Sequence, residues 1–474
     1  MAPFTGTMTF GMWAMPSKCA ILCGPVSEPF AMRNLLPASG IALSMLAAPA
    51  VHAEAPPGYY ASVNRNNAEE LRRTLHEIID DHTIFPLESD EVDIWDILLL
   101  ADENIDNPNH VVTIFRNASL PKQDGPDLNL SYDYGWPKEY GFPVITEGNI
   151  PRTDGHNMFV ADDSYVTKRN GWLASGCTSS CEELPTVSTN GRGGGSGEFP
   201  GNSNWLLTQG NDGLWQVWKG RMGDIARAVF YMDIRYEGGI HTPSGRPEPQ
   251  FAFPGGFRPD ALIDRTRSGE NEDEAFYGNK STLLGWHRDD EPDDIEQRHH
   301  ETIYAFQGNR NPFVDHPEWV ACIWQDLCTP FQINGAVSDA WYDPEIPGQG
   351  FLVTVLPSLE LMFVAMFTYD VQRPPENVSA IIGEPGHRWF TALGSYEGST
   401  ANLVIEQTTG GVFDTEAPVD QLEDGSMVVE FGGCDNATLE YDIPSIGRQG
   451  TISLERVVKD NVALCEALEA NGEN

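Results

Sequence analysis

"LSYDYGWPKEYGFP", residues 130–143, is polar and aromatic, too irregular for a clean strand, and ends in a Gly/Pro turn signal. Asp133 stands beside Tyr134, just ahead of the rigid pair Trp136-Pro137. Upstream, "HVVTIF" (110–115) alternates like a strand and leads into the stretch. Downstream, "TDGHNMFVADDSYVTKRNG" (153–171) supplies His156, Asn157, the adjacent Asp162 and Asp163, and Arg169.

Around this centre the pattern is mixed α and β. "NAEELRRTLHEIIDDH" (67–82) spaces Leu71, Leu75, Ile78 and Ile79 for an amphipathic helix behind an Asn-rich cap. "DEVDIWDILLLADEN" (90–104) starts a second helix. "MGDIARAVFYMDIRY" (222–236) predicts a third, with an apolar face of Ile225, Ala226, Val229, Phe230 and Met232. "DIEQRHHETIYAFQGN" (294–309) predicts another, stopped by Gly-Asn. "NGRGGGSGEFPGNSNW" (190–205) lacks the GxxxxGK[ST] spacing and follows no strand, so it reads as a shaped surface loop, not a phosphate cradle.

After Cys328 the character changes to short alternating runs such as "GQGFLVTVLP", "LELMFVAMFTYDV", "SMVVEFGG" and "GTISLERVV", parted by Gly, Pro and Asp turns. These predict an antiparallel β-sandwich or barrel, with the boundary near residue 330. The expected fold class is therefore α+β, with one domain over 54–328 and a β-rich domain over 329–474.

Charge and cysteine usage narrow the function. Asp+Glu 70 against Lys+Arg 29 gives a net charge of −41, and only seven of those cations are Lys. Such a surface repels polyanions at long range and argues against a protein that holds nucleic acid on a broad basic face. A solvated acidic surface suited to salty surroundings explains it, since screening over about 8 Å or less mutes the repulsion. From Met32, an Arg-bearing head, an apolar stretch and small residues at Val51-His52-Ala53 fit a signal peptide cleaved after Ala53, so 1–53 reads as leader, with Met32 an alternative start. No later stretch reaches the roughly 20 apolar residues of a membrane span, so the expectation is a secreted, soluble chain without a membrane partner. The six cysteines beyond the leader suggest three disulfides, and proximity favours Cys177–Cys181, Cys322–Cys328 and Cys434–Cys465; no spacing suits zinc.

In order along the chain, "TIFRNASLPKQDGPDLNLSYDYGWPKEYGFP", "TDGHNMFVADDSYVTKRNG", "GRGGGSGEFPGNSNW", "GDIARAVFYMDIRYEGG" and "LLGWHRDDEPDDIEQRHHETIYAFQGNRNPFVDHPEW" resemble the successive blocks of the secreted bacterial endonuclease I family, over about residues 58–325. The resemblance implies a ββα-metal (His-Me finger) core, and cleavage of DNA, often RNA too, with little sequence preference and one divalent metal. Mg²⁺ is the expected ion, with Mn²⁺ or Ca²⁺ as alternatives. In the family's motif a His takes the proton from water, the Glu before it ligates the metal, and an Asn in a later segment completes the site. Those positions are here Tyr134, Asp133 and Val166. Asp133 can still ligate a metal, Val166 cannot, and Tyr134, with an unperturbed pKa of about 10, is a poor base at neutral pH.

His156 matches a His that braces the finger, and is the candidate substitute base. Asp162 and Asp163 are candidate replacement ligands in an acidic chain. Arg169 is a candidate phosphate contact, whereas Arg310, Asn311, Asp315 and His316 read as architectural first and phosphate-proximal second. The expected function is a secreted, metal-dependent endonuclease with a degenerate centre. The alternative is a catalytically inactive homologue that binds or scaffolds and needs no metal. The C-terminal runs resemble an accessory β-domain of secreted proteobacterial proteins.

Overall fold

Asn67 starts the first helix by accepting the Glu70 amide on its side-chain oxygen at 2.9 Å, and Glu69 and Glu70 fill the first turn, where the helix dipole favours acid. The result is α1 (Ala68–Ile79), whose Leu71, Leu75 and Ile79 are fully buried. Asp93 opens α2 (Ile94–Ala101) through a reciprocal capping box with Asp96. In this computed structural model the described residues run from 55 to 472, leaving aside 57, 88, 124–129, 135–152, 170–171, 210–211, 237–239, 242, 244–245, 248–279, 370, 373–386 and 413. Residues 1–53, expected to be a leader and carrying Cys19 and Cys23, and the quoted stretch beyond Tyr134, with Trp136-Pro137, lie outside the described residues.

A short hairpin, β1 (His110–Val112) with β2 (Ser119–Pro121), precedes a second hairpin of β3 (Leu130–Tyr134) with β4 (Met158–Asp162). The strand expected over 110–115 ends at Val112. Thr113 there turns the chain, its hydroxyl accepting the Ala118 amide and its carbonyl the Asn117 amide, with Asn117 at φ 55°. Helix α3 (Asp163–Arg169) follows β4 without a loop. A four-stranded sheet comes next, built from β5 (Leu173–Ala174), β6 (Glu182–Pro185), β7 (Ser203–Gln209) and β8 (Asp212–Gln216) in the order β5-β8-β7-β6. The Gly-rich loop between β6 and β7 is packed, not cradling: a Cβ on Gly193 would sit 2.4 Å from the Val187 carbonyl.

Helix α4 (Met222–Arg235) runs through the main core. The sequence assigns it one apolar face, but it is buried on almost every side, because Arg227, Asp233 and Arg235 find charged partners inside. A two-stranded ribbon, β9 (Ile240–His241) with β10 (Arg246–Pro247), leads on to α5 (Lys280–Asp289), α6 (Asp294–Gln307), α7 (Pro312–Asp315) and α8 (Trp319–Gln325). Gly308, at φ 85°, ends α6 in the left-handed conformation that glycine reaches without strain. Among the described residues no helix is long and apolar enough to cross a membrane.

The C-terminal part is a closed antiparallel barrel in simple meander order: β11 (Asp339–Tyr342), β12 (Gly350–Leu356), β13 (Leu361–Tyr369), β14 (His387–Glu397), β15 (Thr400–Thr409), β16 (Asp420–Phe431), β17 (Asn436–Ile443) and β18 (Arg448–Arg456). Closure comes from Trp341 opposite Arg456 and Tyr342 opposite Glu455. Arg456 lies 4.8 Å over the Trp341 ring and donates to Asp339 at 2.8 Å and to the Ala336 carbonyl at 2.9 Å, which fixes the seam. Alternating inward residues, among them Phe351, Met362, Phe390, Leu403, Met427 and Leu439, fill the interior.

All three expected disulfides are present: Cys177–Cys181, Cys322–Cys328 and Cys434–Cys465. The last spans 31 residues and ties the β16–β17 turn to α9 (Val462–Ala470), whose Val462 and Cys465 are buried in the barrel core. Replacing Cys434 and Cys465 together by Ser is expected to lower stability by roughly 3–4 kcal/mol through the freed loop. Chemical denaturation of the oxidised parent and the double variant measures it.

Candidate functional site

The hairpin β3–β4 and helix α3 make a two-strand, one-helix finger. Asp133 pairs with Phe159 and Tyr134 with Met158 across the hairpin, so the two altered positions end the outer strand. Asp162 turns the chain into α3: its carboxylate accepts the Ser164 amide at 3.1 Å and the Ser164 hydroxyl, and pairs with Arg116 at 2.8 Å. That carboxylate is buried and already satisfied, which leaves it little capacity for a metal. On α3, Tyr165 and Val166 face the main core, so the Val166 isopropyl group is part of the packing. Arg169 is buried with its guanidinium 5.8 Å over the Phe115 ring, withdrawn from a phosphate arriving from solvent.

Behind the finger sits a buried polar network. Asp154 accepts the phenol protons of Tyr231 at 2.7 Å and Tyr236 at 2.8 Å, the Gln307 amide at 3.1 Å and the His156 backbone N–H at 3.1 Å. Although burial opposes its charge, the neighbouring His82 and His156, then Arg235 and the Tyr231 phenol, hold its carboxyl below the ordinary range. His156 Nε2 lies 2.9 Å from the Asn309 carbonyl, and since a carbonyl only accepts, that nitrogen carries the proton. Burial, with the neighbouring His300, lowers the His156 pKa to about 3. The ring is neutral at ordinary pH, committed through Nε2 and almost non-basic, which suits a brace.

Gly155 occurs where no side chain fits: a Cβ would meet Ile303 at 2.5 Å and the Gln307 side-chain oxygen at 2.9 Å. Its carbonyl accepts from His299 Nε2 at 3.1 Å, while His299 Nδ1 donates to Asp102 at 2.8 Å. Both ring nitrogens face acceptors. Burial disfavours the imidazolium, but the Asp102 charge and these hydrogen bonds outweigh it and raise the His299 pKa. The second Asp102 oxygen accepts the Val160 amide of β4 at 2.6 Å. An Asp–His ion pair thus clamps the inner strand of the finger. Sequence reading did not single out Asp102, His299, Gln307 or Tyr231; their signal was polar residues in segments that otherwise read as buried helix.

His300, Glu301 and Asp315 bring one ligand atom each within 4.8 Å of one another. Arg310 already supplies the cation there: it donates to Asp315 through Nε and Nη2, each at 2.7 Å, and to Glu301 at 2.5 Å. Both His300 nitrogens are also engaged, Nε2 with Asp315 at 3.1 Å and Nδ1 with the Asn311 amide at 3.3 Å. Burial opposes the Asp315 charge, yet Arg310 and His300 hold it well below the usual carboxylate range. Asn311 caps α7 by accepting the Phe313 amide, and His316 stacks on Trp319. Fully buried and matched by two carboxylates, Arg310 is built into the fold. Neither this cluster nor the satisfied Asp162 and apolar Val166 offers the donor set that a finger metal needs.

Residues 67–318 match the family model described as Endonuclease I. An "Extracellular ribonuclease" of Bacillus subtilis (strain 168) is 30% identical over 335 residues, which cover 67% of this chain and 100% of that protein. A protein of the same description from Bacillus amyloliquefaciens is 30% identical over 272 residues, 56% of this chain and 78% of the relative. No solved structure matches significantly.

Two outcomes follow. Arg310→Ala is expected to cost about 3–5 kcal/mol by stranding Asp315 and Glu301, with Arg310→Lys intermediate, in urea unfolding. A folded-state pKa of about 3 for His156, against 6.5 unfolded, means the native state binds fewer protons between those values. Its stabilising contribution is therefore complete above about pH 6.5 and declines as pH falls towards 3. His156→Gln should remove roughly 2–3 kcal/mol of the acid destabilisation between pH 7 and 4.5, read by unfolding both proteins at each pH.

Proposed function

We propose, from the premise that this chain belongs to the endonuclease I family, that it is an exported protein whose finger engages nucleic acid and hydrolyses phosphodiester bonds of DNA or RNA at an altered centre. The supporting observation is that the described parts of the finger form a scaffold: β3 pairs with β4, α3 follows, and Asp102, His299 and Asp154 brace them. Asp133 and Tyr134 end β3, the place that the family resemblance gives to the ligand and the base. A phenol with a pKa of about 10 is roughly 0.1% ionised at pH 7 and about 10% at pH 9. Proton abstraction by Tyr134 would therefore be slow at neutrality and rise steeply with pH. With net charge −41, attraction of the substrate is local to the finger and depends on screening.

Specific observations favour a second reading, a homologue that binds or scaffolds without cutting. The side chain where the family has a ligand Asn is Val166, half-buried and packed against the core, and Arg169 and Arg310 are both turned inward.

Supercoiled plasmid and a structured RNA, incubated with the chain in high salt with Mg²⁺, Mn²⁺ or Ca²⁺ from pH 6 to 10, separate the two. The first reading expects nicking that rises about tenfold per pH unit from 7 to 9 and is abolished by Asp133→Ala and by Tyr134→Phe. A pH-independent rate indifferent to Tyr134→Phe would place the working centre elsewhere. Absence of cutting in every condition, with activity gained by the triple variant Asp133→Glu, Tyr134→His and Val166→Asn, would establish the second.

A further inference from the structure

We infer that the outer wall of the barrel carries a binding site for a neutral polysaccharide, formed by a cleft over β11–β13 and an aromatic platform that continues onto β14. The cleft has a volume of about 370 Å³ and is lined by Tyr342, Gln349, Gly350, Leu352, Phe367 and Val457, together with neighbouring backbone. That volume falls within the roughly 300–1,000 Å³ of small-ligand sites. No described residue lining it carries a charge, in a chain whose acids exceed its bases by 41.

The register shows how the site is built. Gly350 faces Phe367 across β12 and β13, and Phe367 faces Trp389 across β13 and β14. A missing side chain therefore opens the cleft directly beside two aromatic rings in one transverse row. Phe367 is 49% exposed, Trp389 50% and Tyr369 51%, so three rings on one wall present area to solvent. Isolated exposed rings need no explanation, but a contiguous set beside a cleft marks a recognition surface.

The surroundings are fixed in advance. The Tyr369 hydroxyl donates to the Pro347 carbonyl at 3.2 Å, and Gly348, at φ 86°, leaves room for that phenol: a Cβ there would lie 1.8 Å from its oxygen. Thr368 donates to the Gln349 side-chain oxygen at 2.7 Å, which orients that carboxamide with its NH₂ available as a donor. A preorganised loop of this kind lowers the ordering cost of binding.

The chemistry selects the ligand. Ring faces carry negative quadrupole density and attract the polarised C–H groups that line one face of a pyranose, while Gln349 and backbone groups meet its hydroxyls. Asp343 follows Tyr342 in sequence, and Glu455 lies opposite Tyr342 on β18, so two carboxylates neighbour Tyr342 at one end of the site. They accept from hydroxyls and repel phosphate, sulfate or uronate. Two copies docked face to face would oppose these same carboxylates. A neutral glycan satisfies both the rings and the rim.

Native electrophoresis of the full chain through gels containing soluble β-glucan, xylan or galactomannan tests this, with alginate and poly(dT) gels alongside. At least one neutral polysaccharide should retard the chain, while alginate and poly(dT) should not. Trp389→Ala and Gly350→Leu should each weaken retardation about fivefold or more. The nearest atom to a Cβ at Gly350 is the Trp341 carbonyl oxygen at 3.6 Å and its backbone is not left-handed, so Leu fills the cleft without straining the strand. Leu422→Ala, on exposed β16, should change nothing. The inference fails if no neutral polysaccharide retards the chain or if retardation survives both substitutions. It also fails if the same two substitutions abolish binding to poly(dT), or if they abolish a dimer seen by sedimentation.

Discussion

The Asp102–His299 ion pair is the interaction on which the candidate site depends. One carboxylate joins three elements: the end of α2 that carries it, the imidazolium on α6, and the Val160 amide of β4. His299 then reaches the Gly155 carbonyl, and the Gly155 amide donates to Gln307 at 2.5 Å. A buried charge left without its partner costs several kcal/mol, so these segments form one arrangement together or none. The direction of β4, and with it the register of Asp133 and Tyr134, follows from that constraint. None of these contacts involves Asp133, Tyr134 or Val166, so the chemistry at the finger can change while the scaffold stays intact.

The same economy of charge governs the surface. Seven arginines are buried among the described residues: Arg72, Arg169, Arg221, Arg227, Arg235, Arg310 and Arg456. Most are held by carboxylates, as in Arg72–Asp233, Arg221–Asp224 and Arg227–Glu296. Because carboxylates such as Asp224, Asp233 and Glu296 are buried with them, this inward use leaves the exterior about as acidic as the whole chain, while taking cations out of reach of a ligand. A polyanion is then repelled at long range and meets favourable groups only at contact. Screening shortens that repulsion from about 10 Å at 0.1 M salt to about 3 Å at 1 M, so ionic strength acts on access as much as on affinity.

Local rules made much of the fold legible. The Asn67 cap, the Gly308 stop and the alternating runs after residue 330 each predict an element from its own residues. The disulfides were accessible for the same reason, since sequence neighbours were the available partners. Closure of the barrel was not, because alternation specifies a two-faced strand without saying whether the first strand meets the last; here that depends on Trp341 and Arg456, far apart in the chain. At the site, Arg310 looked the same in sequence whether it served phosphate or structure. Its pairing with Asp315 and Glu301 is a tertiary fact. Likewise the alternation of 110–115 gave no sign of the Thr113 turn, which depends on the hydroxyl meeting the Ala118 amide.

A strap at residues 60–66 ties the helical part to the barrel. The Tyr60 hydroxyl donates to Asp315 at 2.6 Å, entering the cluster that already holds His300 and Arg310. One residue later, Ala61 is buried in the barrel core, and its carbonyl accepts from the Asp435 amide at 3.1 Å and from Asn436 at 3.2 Å. Asn66 then donates to Glu430 at 2.8 Å and to the Phe431 carbonyl at 3.1 Å. Adjacent residues of one turn-rich segment thus satisfy buried groups on both sides. Releasing the strap from the barrel would expose Ala61 and unpair Asn436, and would pull Tyr60 from a carboxylate that also anchors Arg310. The barrel therefore contributes to the rigidity of the helical part through the same hydrogen bonds that seat it, although it supplies no residue to the finger.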